Sequence, residues 1–350
     1  MNAHLERPLG DVESIVDAVA SDASAAQDSI SVSIGVRSAS GLNVMCSRGH
    51  ADLENDIPAT PHSVYRIGSL TKQFTAAAVM LLVERGALTL DDELRTLIPE
   101  YPALGHGITV RHLLTHTSGI TNFTELPEFA EKVRLDLSQR QLGALFATKP
   151  LEFPPGSRFH YSNSGYFLLG VIIEHLSKLR YDEFLQRELF TPLGLSETYY
   201  LDDYRVIPHR VSGYNLWEGH VVNSGQLSMT SPFAAGALGS SLADLLTWES
   251  ALTTGRLISR ASFDAMATPA TLSDGSHSTY GLGMVIGHLG GHPMLSHGGT
   301  INGFRSQLAF YPADELTVAV LSNNGGADVE SLESQVARQL LGVPETTHGT

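Results

Sequence analysis

Two residues, Ser69 and Lys72, have the types and the spacing of a nucleophile and its base. Strong helix formers follow Ser69 without proline or glycine until Gly86, so the sequence predicts a helix whose first turn contains Ser69. Residues three apart share one helix face, which brings the lysine amine within reach of the serine hydroxyl. A lysine desolvated by the apolar run 73–83 could be neutral and accept the hydroxyl proton. Taken alone, this spacing is more often a capping serine beside a surface lysine.

A second candidate is the segment Tyr161-Ser162-Asn163, which follows the helix-breaking residues Pro154-Pro155-Gly156 and precedes a predicted helix. A tyrosine in such a loop could relay protons, and the asparagine amide could bind a substrate carbonyl. In the alternative interpretation, Ser162 or Asn163 caps the next helix, and both interpretations can hold together.

A third candidate lies at the end of a predicted strand, where His297 runs into Gly298, Gly299 and Thr300. Adjacent glycines let a ligand or another backbone approach closely, and they free the Thr300 N–H to point at an oxyanion. His297 could assist by hydrogen bonding. A histidine before a turn is the alternative interpretation of this segment.

The composition excludes several classes of partner. The chain has 350 residues, 42% of them hydrophobic, with 37 acidic and 22 basic residues and a net charge of -15. Such a charge argues against nucleic acid or an anionic membrane as the partner. The single cysteine, Cys46, indicates a reducing compartment and a small hydrophobic role. We find neither a signal-peptide pattern nor a membrane-length apolar run, so we expect a cytoplasmic protein.

Strand patterns occur at both ends of the chain, and helical patterns lie between them. Alternation over 30–36 predicts a half-buried strand, which a turn joins to a second strand with Leu42, Val44 and Cys46 in an antiparallel hairpin. The late predicted strands and the final helix are 284–286, 294–297, 306–311, 316–321 and 328–341. Helix signals in the middle include starts at Thr109 and at the capping box Ser138-to-Gln141, and a helix 181–190 that proline stops just before Thr191. Residues 241–253 are again predicted to be helical.

This order predicts an α/β (α+β) fold, in which an antiparallel sheet is flanked by helices and a mostly helical lobe is inserted. Residues 1–90 with 225–350 would form the sheet-containing domain, and residues 91–224 the inserted lobe. A cleft between two lobes is a usual place for an active site.

The three motifs, in this order and with these intervals, resemble the active-site motifs of the serine β-lactamase and penicillin-binding-protein superfamily. The likeness is greatest to the class C β-lactamase branch, which includes family VIII esterases, D-aminopeptidases and DD-peptidases of the S12 peptidase type. It covers residues 30–340, with further matching segments at 113–120, 154–156, 236–248 and 298–311. Chance matching of short motifs does not explain so long a likeness.

The resemblance implies a role for each motif residue. Ser69 would be the acylated nucleophile, while Lys72 and Tyr161 would share the work of general base and acid. Asn163 would hold the substrate carbonyl, and the backbone N–H groups of Ser69 and Thr300 would form the oxyanion hole. No metal or other cofactor is expected.

One motif departs from the family pattern. β-Lactamases of this branch usually carry Lys-Thr-Gly where this chain has His297-Gly298-Gly299. The missing ammonium and hydroxyl commonly help bind a substrate carboxylate, so efficient β-lactam hydrolysis is not expected. Esterases and peptidases of the superfamily tolerate histidine there.

We therefore expect a metal-independent serine hydrolase that acts on small esters, amides or peptides through an acyl-enzyme at Ser69. The alternative is an acyltransferase or peptide-cyclising thioesterase that uses the same acyl-enzyme. A true β-lactamase is less favoured, because the lysine and threonine of the third motif are missing. A non-catalytic binding protein is less favoured, because Ser69, Lys72, Tyr161 and Asn163 are all present. The sequence leaves open the acyl group, the leaving group, stereochemical preference and oligomeric state.

Other motifs give weaker signals. His112 and His116 are four residues apart, but the glutamate of a metalloprotease helix is missing, and the local pattern favours a structural role. The sequence also has no G-x-S-x-G nucleophile elbow and no phosphate-binding glycine loop.

Overall fold

The computed structural model of the chain describes residues 8–28, 30–101 and 107–344. The strands are β1 (Val32–Ser38), β2 (Asn43–Arg48), β3 (His50–Asp52), β4 (Ile57–Pro58), β5 (Tyr65–Arg66), β6 (Tyr199–Tyr200), β7 (Tyr214–Trp217), β8 (His220–Asn223), β9 (Leu238–Ser240), β10 (Val285–Leu289), β11 (His292–Ile301), β12 (Phe304–Tyr311) and β13 (Leu316–Ser322). The helices are α1 (Leu9–Ala25), α2 (Thr71–Glu84), α3 (Leu94–Leu97), α4 (Val110–Leu114), α5 (Pro127–Ala130), α6 (Gln139–Gly143), α7 (Asn163–Ser177), α8 (Tyr181–Leu185), α9 (Thr191–Leu193), α10 (Phe233–Gly236), α11 (Leu242–Thr253), α12 (Arg260–Met266) and α13 (Val329–Leu341).

The main sheet joins strands from both ends of the chain. Its six strands run in the order β10-β11-β12-β13-β1-β2, and every neighbouring pair is antiparallel. The early hairpin joins the late strands because β1 pairs with β13 from Val32 opposite Ser322 to Ser38 opposite Leu316. The predicted fold class is confirmed.

Helices cover both faces of the sheet. On one face, α1 and α13 pack their apolar residues against those of β1, β12 and β13. On the other face, α11 lies over β1 so closely that a Cβ on Gly35 would be 2.9 Å from a Leu246 methyl carbon. The prediction of a half-buried β1 is therefore wrong: Ser33 and Gly35 are buried as well, and the Ser33 hydroxyl hydrogen-bonds Ser47 and Tyr65.

The helix signals were accurate at the beginnings of helices. Thr109, Ser138 and Ser241 all accept capping hydrogen bonds from backbone N–H groups, as N-cap residues do. A helix ending just before Thr191 was a wrong prediction. A π-helical turn follows α8, and Pro192 then lies in the first turn of α9, where its missing N–H is not needed.

Cys46 lies on β2, as predicted, and is half-buried. Its thiol donates to Asp17 Oδ1 over 3.4 Å. Burial, with a smaller contribution from this hydrogen bond, raises the pKa of the Cys46 thiol to about 11. The thiolate is therefore disfavoured, in keeping with a structural role.

Within the described part of the chain, no helix combines the length and apolarity needed to cross a membrane. The division into residues 1–90 with 225–350 and residues 91–224 stays a prediction.

Candidate active site

Ser69 lies in a 3₁₀ turn, Gly68–Leu70, that leads directly into α2. Glycines on both sides of the contact let this turn approach β11. A Cβ on Gly68 would lie 3.1 Å from the Thr300 nitrogen, and one on Gly299 would lie 1.9 Å from the Ile67 carbonyl oxygen. The close approach places the Ser69 backbone beside the backbone of Thr300.

Lys72 is fully buried and touches three oxygen atoms. Its Nζ lies 2.8 Å from Asn163 Oδ1, 2.8 Å from the carbonyl oxygen of Ala235, and 3.1 Å from Ser69 Oγ. Burial lowers the pKa of the Lys72 ammonium well below its ordinary value. A neutral amine has two N–H donors for the two carbonyl oxygens, and its lone pair is then free to accept the Ser69 hydroxyl proton.

Tyr161 lies over Lys72 and reaches the same serine. The lysine Nζ is 4.7 Å from the centre of the tyrosine ring. Burial raises the pKa of the Tyr161 phenol, while its hydrogen bond with the Ser69 hydroxyl opposes the shift. The phenol is therefore neutral near pH 7 and carries a proton that it can donate.

Asn163 begins α7 and is held by the loop that follows α4. Its N–H donates to Asn122 Oδ1 over 3.1 Å, and its Nδ2 donates to Thr124 Oγ1 over 3.0 Å. Ser162 occupies the N-cap position, but its hydroxyl donates to the Ile120 carbonyl instead of capping the helix. The interpretation of Ser162 or Asn163 as a side-chain cap is therefore wrong, because Asn122 serves the helix start.

His116 is a residue whose place in the site sequence reasoning missed. It is buried, with a φ of +58°, and its Nδ1 accepts from the Ser162 N–H over 3.0 Å. Its ring centre lies 4.2 Å from that of Tyr161. Burial holds the pKa of His116 well below its usual range, so the ring is a neutral support for the Tyr161 loop.

His112, one of the two histidines considered as metal ligands, makes a capping contact. His112 Nδ1 accepts from the Thr109 N–H over 3.2 Å, which is a capping contact. In the described residues, no group of three or more His, Cys, Asp or Glu side chains is arranged to hold a metal ion.

The register of β11 directs the Thr300 N–H into the cleft. Leu289 and His292 close the β10–β11 hairpin, so alternate residues of β11 turn their N–H groups toward β10. Thr300 follows this alternation, and β10 pairs no further than Ser296. Its N–H therefore points into open space beside the Ser69 turn, whose own first N–H groups lack partners within the helix.

His297 is buried beneath this edge, with both ring nitrogens engaged. Nδ1 lies 2.6 Å from the Gly298 carbonyl oxygen, and Nε2 lies 2.8 Å from the Tyr280 hydroxyl. Burial is the main cause that lowers the pKa of His297 to about 3. The neutral ring thus donates from Nδ1 and accepts at Nε2, and a direct role for His297 in substrate binding stays a prediction.

Two cavities meet at Ser69. The larger, of about 680 Å³, is lined by polar groups that include Tyr161, Tyr280 and His297. The smaller, of about 290 Å³, has an apolar wall and also contacts Asn163 and Thr300. The apolar residues of that wall include Phe123, Phe129, Val133, Leu227 and Ile301.

The arrangement suits acyl transfer through a serine. A hydroxyl, a neutral buried amine and a neutral phenol are parts that such a reaction needs, and an oxyanion hole formed by the N–H groups of Ser69 and Thr300 stays a prediction. The structure brings Ser69, Lys72, Tyr161 and Asn163 into one cluster, and it brings Thr300 to the other side of the serine.

Known proteins share this organisation. A profile of the family described as Beta-lactamase matches residues 16–341. A D-aminopeptidase from Gluconobacter oxydans (strain 621H) is 27% identical over 302 residues, covering 85% of this chain and 56% of that protein. The chain spans between 56% and 66% of the length of three curated relatives that it matches.

Two solved structures are also similar. The octameric penicillin-binding protein homologue from Pyrococcus abyssi has a TM-score of 0.82 and 28% identity, covering 96% of this chain and 78% of that chain. The D-amino acid amidase from Ochrobactrum anthropi SV3, complexed with L-phenylalanine amide, has a TM-score of 0.82 and 25% identity, covering 94% of this chain and 98% of that chain.

Proposed function

The chain belongs to the beta-lactamase family, and from that premise we propose that it is a serine hydrolase that forms an acyl-enzyme at Ser69. Its substrates are small amides, peptides or esters. The observation that carries this proposal is the environment of Lys72, a fully buried amine 3.1 Å from Ser69 Oγ with carbonyl oxygens as its other partners. A lysine in such surroundings is a base at neutral pH.

Acylation uses each of the clustered groups once. Lys72 takes the hydroxyl proton as Ser69 Oγ bonds to the substrate carbonyl carbon. The carbonyl oxygen becomes negative and is bound by the N–H groups of Ser69 and Thr300. The bond to the leaving nitrogen or oxygen then breaks as Tyr161 donates its proton to that atom, and the proton on Lys72 returns to the phenolate.

Deacylation reverses these transfers with water as the nucleophile. Water attacks the acyl carbon and loses its proton to the Lys72–Tyr161 pair, and the same two N–H groups bind the second oxyanion. Ser69 Oγ leaves with a proton from Lys72, which restores the resting enzyme. The carboxylic acid is the product.

Two observations favour amides and peptides over β-lactams. The relatives include a D-aminopeptidase and a D-amino acid amidase. The segment His297-Gly298-Gly299 also supplies no ammonium at the sheet edge, and Glu330 lines the same cavity.

A substrate panel tests the proposal. p-Nitrophenyl esters, D- and L-amino-acid amides, nitrocefin and thioesters are incubated with the wild type and with Ser69→Ala. We expect turnover of esters and amides by the wild type alone, and slow or no turnover of nitrocefin. Unchanged rates in Ser69→Ala would contradict the proposal.

Product analysis distinguishes hydrolysis from acyl transfer. The same reactions are run with millimolar concentrations of an added amine. A hydrolase still yields the free acid as the main product. A new amide in place of the acid would identify the alternative, an acyltransferase or peptide-cyclising thioesterase.

A further inference from the structure

The smaller cavity at Ser69 has walls from three segments that are far apart in the chain. Phe123, Phe129 and Val133 come from the region of α5, Leu227 comes from the segment between β8 and α10, and Ile301 ends β11. The described residues that line this cavity carry no carboxylate, ammonium, guanidinium or imidazole group. The shape of the cavity therefore depends on how these segments are held together.

The position of Tyr161 assigns the smaller cavity to one part of the substrate. Tyr161 lines the larger cavity, and it is the group that protonates the leaving atom in the reaction above. The leaving group therefore extends into the larger cavity. The acyl group, on the other side of the carbonyl carbon, extends into the smaller cavity, which Ser69 and Asn163 also line.

Two of the three wall segments are joined by backbone hydrogen bonds. The N–H of Ser228, the residue after Leu227, donates to the Val133 carbonyl oxygen over 3.0 Å. The Leu137 N–H donates to Thr230 Oγ1 over 3.2 Å. These bonds bring Val133 and Leu227, one from each segment, to the same wall.

Asp136 adds two side-chain hydrogen bonds to this junction. Its Oδ1 accepts from the Ser228 hydroxyl over 2.6 Å, and its Oδ2 accepts from the Tyr204 hydroxyl over 2.7 Å. Ser228 is buried, and Tyr204 belongs to the segment between β6 and β7. The bond from Ser228, followed by that from Tyr204, holds the pKa of the Asp136 carboxyl below its ordinary value. One carboxylate thus joins three segments of the chain.

Resting on the proposed function, we propose that Asp136 is a positioning residue for the acyl group, because it holds Val133 and Leu227 where the smaller cavity binds an uncharged, apolar acyl chain. A longer chain buries more apolar surface against these walls. The contribution of Asp136 therefore grows with the length of the acyl chain. A charged acyl group would lose its hydration in this cavity without gaining a partner.

Three p-nitrophenyl esters test this role. They are the acetate, the hexanoate and the monoester of adipic acid, whose terminal carboxylate replaces the methyl group of the hexanoate. All three have the same leaving group, and kcat/KM is measured at pH 7. The critical quantity is the hexanoate-to-acetate ratio, compared between wild type and variants, because the comparison cancels intrinsic reactivity.

We expect Asp136→Ala to lower this ratio about fivefold, as the loss of a hydrogen bond does. Asp136→Asn should restore most of the ratio, because its amide oxygen can accept from Ser228 and its amide N–H can donate to the Tyr204 oxygen. Leu227→Ala removes the wall itself and should lower the ratio at least as much. Asp11→Ala, at an exposed aspartate of α1, is the matched control and should keep the wild-type ratio.

The wild type should also hydrolyse the hexanoate at least about tenfold faster than the adipate monoester, because the cavity offers no partner for a carboxylate. A preference for the adipate monoester would contradict an apolar acyl site.

An unchanged ratio in Asp136→Ala would overturn the inference. Equal losses on acetate and hexanoate would overturn it too, because they would indicate a general structural effect, and an unchanged ratio in Leu227→Ala would place the acyl group elsewhere. In each of these cases Ser69-dependent hydrolysis remains. Failure of the proposed function has a different signature: none of the three esters would be turned over in a Ser69-dependent way.

Discussion

The helices on one side of Ser69 and the sheet edge on the other contribute differently to the site. On the helical side, Lys72 and Asn163 are closely partnered and sit among buried aromatic rings. On the sheet side, Gly68 and Gly299 let the Ser69 turn and β11 approach each other, and two cavities open beside Ser69. The reacting groups are thus fixed by packing on one side, whereas the other side leaves room for the substrate.

The largest expected effect comes from the helical side. Lys72→Met keeps the apolar stem of the side chain and removes the base, so acylation should slow about 1,000-fold or more. Stopped-flow acylation by a p-nitrophenyl ester measures this rate. Lys149→Met, at a lysine near the surface, should acylate at the wild-type rate. A near-normal rate in Lys72→Met would place the base elsewhere.

A smaller effect is expected at Tyr161, and it should depend on the leaving group. Tyr161→Phe removes the proton donor, so amide hydrolysis should fall about 100-fold. A p-nitrophenolate leaves without a proton, and its ester should lose much less activity. Steady-state kinetics on one acid as anilide and as p-nitrophenyl ester measure the difference. Equal losses on both substrates would mean that Tyr161 acts through position alone.

On the sheet side, the adjacent glycines Gly298 and Gly299 should differ in how much stability an alanine substitution costs. Gly299→Ala would drive a methyl group into the Ile67 carbonyl, a backbone atom, and should cost about 2 kcal/mol of unfolding free energy or more. In Gly298→Ala the nearest atom is the end of the Gln307 side chain, which can move, so this variant should lose less. Urea unfolding of both proteins checks the order. Equal losses would contradict the close contact of the Ser69 turn with β11.

The last prediction concerns stability in acid. His297 is neutral in the fold, with a pKa lowered to about 3, whereas in the unfolded chain it takes up a proton near pH 6.5. The unfolded state therefore binds more protons between these values, and stability falls as the pH drops from about 6.5 toward 3. In His297→Gln, urea midpoints at pH 7 and pH 4.5 should differ less than in the wild type. An equal or larger difference would contradict this account.

Much of this architecture was predictable from the sequence. Alternation identified β1 and β2, and the return to strands near residue 284 was enough to expect one shared sheet. The spacing of Ser69 and Lys72 predicted one helix face, and the structure confirms that their side chains meet.

Other features depend on contacts between distant segments, which local patterns do not record. His116 supports the Tyr161 loop through its Nδ1 and its ring face, yet the sequence offered only its spacing from His112. A positive φ at a histidine has no local signature. The burial of Gly35 follows from the packing of α11, some 210 residues later in the chain, and Ser33 lies against Tyr65.

The most direct test of the central claim is the intact mass of the protein after reaction with a fluorophosphonate, followed by peptide mapping. We predict one adduct, located on Ser69, that is absent from Ser69→Ala and forms far more slowly in Lys72→Met. An adduct on another residue, or an undiminished adduct in Ser69→Ala, would contradict the assignment of Ser69 as the nucleophile.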